Sequence, residues 1–458
     1  MNTNLTEGKI LKKLIILALP IMGTSFIQMA YNLADMLWVG ILGSRAVTAV
    51  GTAGFFTWFA AAFITIPQIG AAVGIAQSVG RKDAEETKSY IRHSLQLTVI
   101  LALLYGVSIF IFRRQFIGFF NLKSDDIINN ASNFLGIISL GMVFFFLSPV
   151  LTAIFNGHGN SRTPFIISTI GLAINIALDP LLILGIGPFP RLGVCGAAIA
   201  TIFAQFFTAT TYIFVIKKRT NYFKEIHFLQ KPDWKHMSKI VKFGLPVSLQ
   251  SGAFTLIAMI IARILSNWGP TPIAVQSVGS QIESISWMTA GGFQTALAAF
   301  VGQNLGAKKW DRIYKGYFTA LGIISVIGLI TSSLLIFLSG PIFSIFIREK
   351  NVVKEGIVYL RILGVSQFFM CIEITTAGAF NGLGKTVPPS LNGIVFNTLR
   401  IPGAILLSVG LGLSGVWWSI SLSSVMKGII LTSWFIIFLS KHPEIGGRKI
   451  FPFKKLRA

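Results

Sequence analysis

Apolar residues run in long unbroken stretches along this chain, interrupted by short polar turns. Twelve stretches stand out, at residues 14–40, 50–78, 94–112, 132–155, 164–184, 193–216, 240–266, 274–301, 317–338, 357–380, 388–408 and 415–439. Stretches of about 20 apolar residues are long enough to cross a bilayer as helices. Lipid demands internally satisfied backbones, which leaves helices or a closed barrel. A barrel strand alternates polar and apolar positions over about ten residues. Leu95–Phe112 and Tyr317–Phe337 show no such alternation. The pattern predicts an all-α integral membrane protein of about twelve transmembrane helices. Asn156-Gly157-His158-Gly159 and Asn381-Gly382-Leu383-Gly384 mark the least sharply separated turns.

The second half echoes the first at a shift near 225 residues. Leu19-Pro20 matches Leu245-Pro246, and Gln77-Ser78-Val79-Gly80 matches Gln303-Asn304-Leu305-Gly306. Phe155-Asn156-Gly157 matches Phe380-Asn381-Gly382, and Leu192-Gly193 matches Leu411-Gly412. An even number of helices per half returns the chain to its starting side. Two six-helix lobes are therefore expected, related by an axis along the membrane normal, with alternating access between them. The expected domains are an N-lobe at 1–216, a basic linker at 217–239, a C-lobe at 240–440 and a basic tail at 441–458.

Charge refines the topology. With the N-terminus inside, 27 of the 39 Lys and Arg residues fall in inner segments, nine in outer loops and three within helices. This bias places both termini in the cytoplasm. The linker, with Lys217, Lys218, Arg219, Lys224, Lys231 and Lys235, suits an anionic inner leaflet. The net charge of +23 is spread over short loops. No contiguous basic domain tracks a phosphate backbone, so nucleic acid is excluded as a partner. The first apolar run is read as a retained helix, not a cleaved leader.

Only 12% of residues are charged and mean hydropathy is +0.72. Cys195 and Cys371 sit in apolar surroundings and imply neither a disulfide nor a metal cluster. No phosphate-binding GxxxxGK[ST], HExxH or GxSxG occurs, so neither ATP-driven transport nor an enzyme is expected, and no cofactor is implied.

Charge in hydrocarbon needs a reason. Four acids fall within the spans: Asp35, Asp179, Glu283 and Glu373. Gln28, Asn32 and Asp35 share one face of the first helix, with Tyr31 one turn away. Asn175 and Asp179 lie one turn apart, and Pro180 weakens the helix there. Thr201 offers a hydroxyl from the sixth span. Two carboxylates with amide and hydroxyl oxygens suit either a hard cation such as Na⁺ or a shared proton; structural hydrogen bonding is the alternative. Gln28, Tyr31, Asn32, Gln281, Gln367, Met370 and Glu373 are candidate cavity-lining residues. Glu283, Arg263, Arg400 and Lys427 are intramembrane charges whose roles stay open, with snorkelling the simplest account of Arg263.

These residues resemble the multidrug and toxic compound extrusion (MATE) transporters over nearly the whole chain. The resemblance rests on Asn32-Leu33-Ala34-Asp35 with Trp38-Val39-Gly40, on Asn175 to Leu181, on Val301 to Ala307 and on Arg400-Ile401-Pro402. It implies export of small organic cations against Na⁺ or H⁺, with the cation site on Asp35, Asn175, Asp179 and Thr201. It points to the bacterial damage-inducible and archaeal-like branch, because the seventh span carries no acid. It also implies a multi-pass protein of the cell membrane, functional as a monomer. The alternative is a flippase or exporter for a lipid-linked or anionic precursor, which would need basic residues in the central cavity.

Overall fold

The computed structural model describes residues 4–120, 124–219, 230–347 and 349–444. Part of the basic linker and the tail cluster Arg448–Arg457 lie outside the described residues. The first half folds as α1 (Ile10–Ile41), α2 (Ser44–Arg81), α3 (Ala84–Gly118), α4 (Asp125–Leu140), α5 (Met142–Gly157), α6 (Arg162–Leu184) and α7 (Val194–Arg219). The second half follows as α8 (Trp234–Leu265), α9 (Pro270–Gly306), α10 (Trp310–Phe337), α11 (Ser339–Ser344), α12 (Lys350–Gly382), α13 (Val387–Thr398), α14 (Arg400–Leu411) and α15 (Leu413–Ser440).

Among the described residues, ten helical segments are long and apolar enough to cross a membrane, and the bent pair α4–α5 makes an eleventh. The 37-residue α9 is the twelfth span of the fold; it is too polar to register by hydropathy because it carries Gln276, Gln281, Glu283 and Gln294. The protein is thus a twelve-helix, multi-pass membrane protein.

Two spans are broken. The expected span at 132–155 bends by 55° at Gly141. A Cβ at Gly141 would lie 2.5 Å from Ile202, so only glycine admits α7 this close. The expected span at 388–408 divides between α13 and α14 around Leu399. Pro402 cannot donate to Thr398, and its ring crowds that carbonyl.

The chain forms two compact units, one of residues 19–248 and one of residues 4–18 with 249 onward. They differ from the expected lobes in the ownership of α1 and α8. The first turns of α1 belong to the second unit, and α8 up to Ser248 belongs to the first. Both changes of ownership fall within two residues of a helix-interior proline, Pro20 and Pro246. Each proline removes one helical hydrogen bond and frees the chain to change direction.

The first unit packs around Phe134, Phe146, Leu151, Phe155 and Tyr212. The second packs around Phe343, Tyr359, Leu360 and Trp417. Its seal includes the N-terminal leader. Leu5 is fully buried; its N–H donates to Gln303 Oε1 (3.2 Å) and its carbonyl accepts from Asn304 Nδ2 (3.2 Å). Arg312 donates to the carbonyls of Leu5 and Gly8. The repeat also survives as geometry. Among the described residues, only Lys82 and Lys308 are non-glycine residues with positive φ, at 60° and 57°, and they close the matching turns after α2 and α9.

Candidate functional site

In the first unit, α1, α6 and α7 bring the predicted cation-site residues together. Close approach of α6 to α7 begins at Gly171, where a Cβ would lie 2.4 Å from Thr208 Oγ1. One turn onward Asn175 is fully buried, and one turn further so is Asp179. Asn175 Nδ2 donates to Asp179 Oδ1 at 3.4 Å. The Asp35 carboxyl meets the side chains of Asp179, Asn175 and Thr201. Thr201 donates its hydroxyl to Ala197 O (2.9 Å), which leaves its oxygen lone pairs free to accept. Tyr31, 7% exposed, donates to the Thr201 carbonyl at 3.4 Å and so ties α1 to α7 beside the acids.

Three acceptor atoms of this cluster are buried without a donor among the described residues: Asp35 Oδ1, Asn175 Oδ1 and Asp179 Oδ2. Buried acceptors normally have donors, and leaving one unmet costs about 1–3 kcal/mol. Gln28 and Asn32, on the polar face of α1, are exposed.

The second unit holds a different arrangement. Glu283 is 2% exposed, and both of its oxygens are satisfied. Tyr359 OH donates to Oε1 (2.6 Å) and Gln367 Nε2 to Oε2 (2.7 Å). Ser286 in turn donates to Gln367 Oε1 (3.0 Å). Gln367 is fully buried inside this network, whereas Gln281 is exposed and Met370 half-buried. Arg400 donates through Nε to Ser423 Oγ (2.7 Å) and through a terminal nitrogen to Ser424 Oγ (2.9 Å). Lys427 Nζ lies 4.0 Å from Glu373 Oε2. Arg263 is exposed in the last turn of α8, where its charge suits the helix dipole. Tyr359, Ser286, Ser423 and Ser424 escape the sequence reading. Tyr359 and Gln367 are two turns apart on one face of α12, but nothing in the chain pairs that face with Glu283.

The MatE family model matches residues 20–181 and again residues 246–406. The chain belongs to the MatE family. Two matches of one model, one in each half, also account for the internal repeat. This MatE chain is 31% identical over 417 residues to a probable multidrug resistance protein NorM of Thermotoga maritima, covering 89% of this chain and 88% of the relative. It is 27% identical over 422 residues to an FAD transporter of Shewanella oneidensis, covering 88% and 89%. It is similar in fold to a multidrug resistance MATE family transporter of the MOP superfamily solved in an outward-facing conformation. That likeness has a TM-score of 0.86 at 23% identity, covering 96% of this chain and 98% of the other. The MatE chain is accordingly a transporter of the cell membrane.

Proposed function

We infer that this chain is a secondary active multidrug exporter, and that its coupling cation, Na⁺ or H⁺, is taken up in the first unit by Asp35, Asn175, Asp179 and Thr201. The observation that carries the coupling site is the set of three buried acceptor oxygens without donors, drawn from three side chains of one cluster. Two carboxylates in contact repel one another when both are ionised, and burial strengthens that repulsion. A proton held between them removes it. So does a hard cation, for which carboxylate, amide and hydroxyl oxygens are the fitting ligands. Cation binding and release thus change the electrostatics of α1 against α6 and α7. Tyr31 and Pro20 lie on the same helix as Asp35, and α1 passes from one unit to the other next to Pro20.

The Thermotoga relative's description favours small organic molecules as cargo. The relative described as an FAD transporter supports the second reading, export of an anionic precursor. The bases that reading requires, Arg400 and Lys427, lie among acids in the second unit, so cationic cargo is preferred.

The deciding experiment uses the full chain in liposomes loaded with a fluorescent organic cation, with Na⁺ and H⁺ gradients imposed separately. Export should follow one gradient and stop when it is collapsed. Export indifferent to both gradients would end the coupling claim. Faster movement of a nucleotide anion than of the dye would install the second reading.

A further inference from the structure

The two units carry the same repeat but opposite electrostatic solutions. The apolar spans of the first half contain two acids, Asp35 and Asp179, and no Lys or Arg. Those of the second half contain two acids, Glu283 and Glu373, together with Lys242, Arg263, Arg361, Arg400 and Lys427, of which Arg400 and Lys427 are buried and the other three exposed. Arg400 lies within electrostatic reach of Glu283 and of Glu373, and Lys427 within reach of Glu373.

We propose that the second unit carries a counter-cation as a side chain, with Lys427 the tethered partner of Glu373, so that exchangeable cation is taken up in the first unit alone. The proposal rests on the coupling reading above and deepens it. Lys427 and Glu373 have side chains only 8% and 6% exposed, and their charged atoms stand 4.0 Å apart. That spacing is an ion pair without a direct hydrogen bond. The backbone enforces the meeting. A Cβ at Gly428 would lie 2.4 Å from the Phe369 carbonyl oxygen, so α15 approaches α12 closely one residue from Lys427. Asn392 Nδ2 donates to the Lys427 carbonyl at 3.2 Å and fixes α13 against the same turn.

Arg400 is held as firmly. Ser423 and Ser424 accept from its guanidinium, and Ser419 donates to its carbonyl at 2.9 Å. These hydroxyls orient the cation but carry no charge. A buried acid with a resident base needs no proton or metal ion to offset its charge. Glu373 is therefore a structural anion, and Lys427 is the residue that keeps it out of the coupling reaction.

The test is a charge-pair cycle in the full chain, read as dye export from liposomes. Lys427→Met and Glu373→Gln each leave one buried charge alone and should each lower transport by about tenfold or more. Lys427→Met with Glu373→Gln removes both charges and should recover to within about threefold of the parent, with the same gradient dependence. Equal inactivity of Glu373→Gln and the double variant would make Glu373 a coupling acid and overturn the proposal. Full activity of Lys427→Met with unaltered coupling would overturn it as well. A second measurement stands apart from folding of those variants. Asp35→Asn with Asp179→Asn should lose all Na⁺ binding and all cargo-induced proton release in detergent. Residual cation uptake there would place an exchangeable site in the second unit. Failure of the coupling reading itself appears differently, as gradient-driven export that survives Asp35→Asn.

Discussion

His93 and Asp233, 140 residues apart in sequence, meet through one hydrogen bond: the Asp233 backbone N–H donates to His93 Nε2 at 3.0 Å. His93 Nδ1 faces the Ser89 carbonyl at 2.7 Å, and a carbonyl can only accept. The proton therefore sits on Nδ1, and Nε2 is a lone-pair acceptor. Asp233 caps α8, its Oδ1 accepting from Lys235 N (2.9 Å) while Oδ2 pairs with His236 Nδ1 (2.5 Å). Helix α3 thereby holds the start of α8 within the first unit.

His93→Ala should accordingly raise amide exchange at residues 230–236 and lower stability by about 1 kcal/mol, the value of one such bond. His93→Gln, which keeps an acceptor, should retain most of the protection. In the parent, protection of the Asp233 amide relative to its intrinsic exchange rate should fall as pH drops through the His93 pKa, which burial lowers from the usual imidazole value, because a protonated Nε2 opposes N–H with N–H. The Asp233 carboxyl is held below its usual range by His236 first and by the Lys235 N–H second. Its cap therefore persists at mildly acidic pH and is lost only as pH falls through that depressed value.

Asp35→Asn and Asp179→Asn should each abolish gradient-driven export while leaving expression and melting temperature unchanged or higher. Each exchange removes a repelling buried charge and keeps the side-chain volume. Dye export and a thermal melt on the same preparation check both halves of this expectation. Full export by either variant would exclude that acid from coupling.

His158 follows the end of α5, is 8% exposed, and bonds through Nδ1 to the Ile154 carbonyl (2.8 Å). Burial pushes its pKa down, only partly offset by that carbonyl. The folded chain then declines a proton that the unfolded chain accepts, so stability should fall as pH drops below about 6.5, by up to ~1.4 kcal/mol per pH unit. His158→Gln should flatten this contribution in melts compared at pH 7.5 and 5.5.

Gly428→Ala should destabilise the second unit by about 1–3 kcal/mol, because the new methyl meets the Phe369 backbone oxygen rather than a movable side chain. Gly410→Ala, with nothing within 4 Å of the added atom, is the matched control on α14. Equal melting temperatures for the two variants would argue against a close α12–α15 approach.

Much of this protein is legible in its order of residues. Length and continuity of apolar runs require membrane-spanning helices, since lipid offers the backbone no other partner. Even α9, whose polar residues defeat a hydropathy test, is marked by its place in the repeat. Asp35, Asn175 and Asp179 announce themselves because charge and amide at helical spacing have no cause in hydrocarbon. The same signal marks Glu283, Glu373, Arg400 and Lys427 without telling their roles apart. Those roles depend on which side chain lies opposite. Glu283 has Tyr359 and Gln367 as donors and Glu373 has Lys427, whereas oxygens of Asp35 and Asp179 are left without donors. Sequence spacing reports neighbours on one helix, but partners across helices are set by close approaches such as those at Gly171 and Gly428, and by the prolines at which α1 and α8 change units. Packing of distant segments is a property of the folded chain, so it alone separates the acids whose oxygens lack donors from those that have partners.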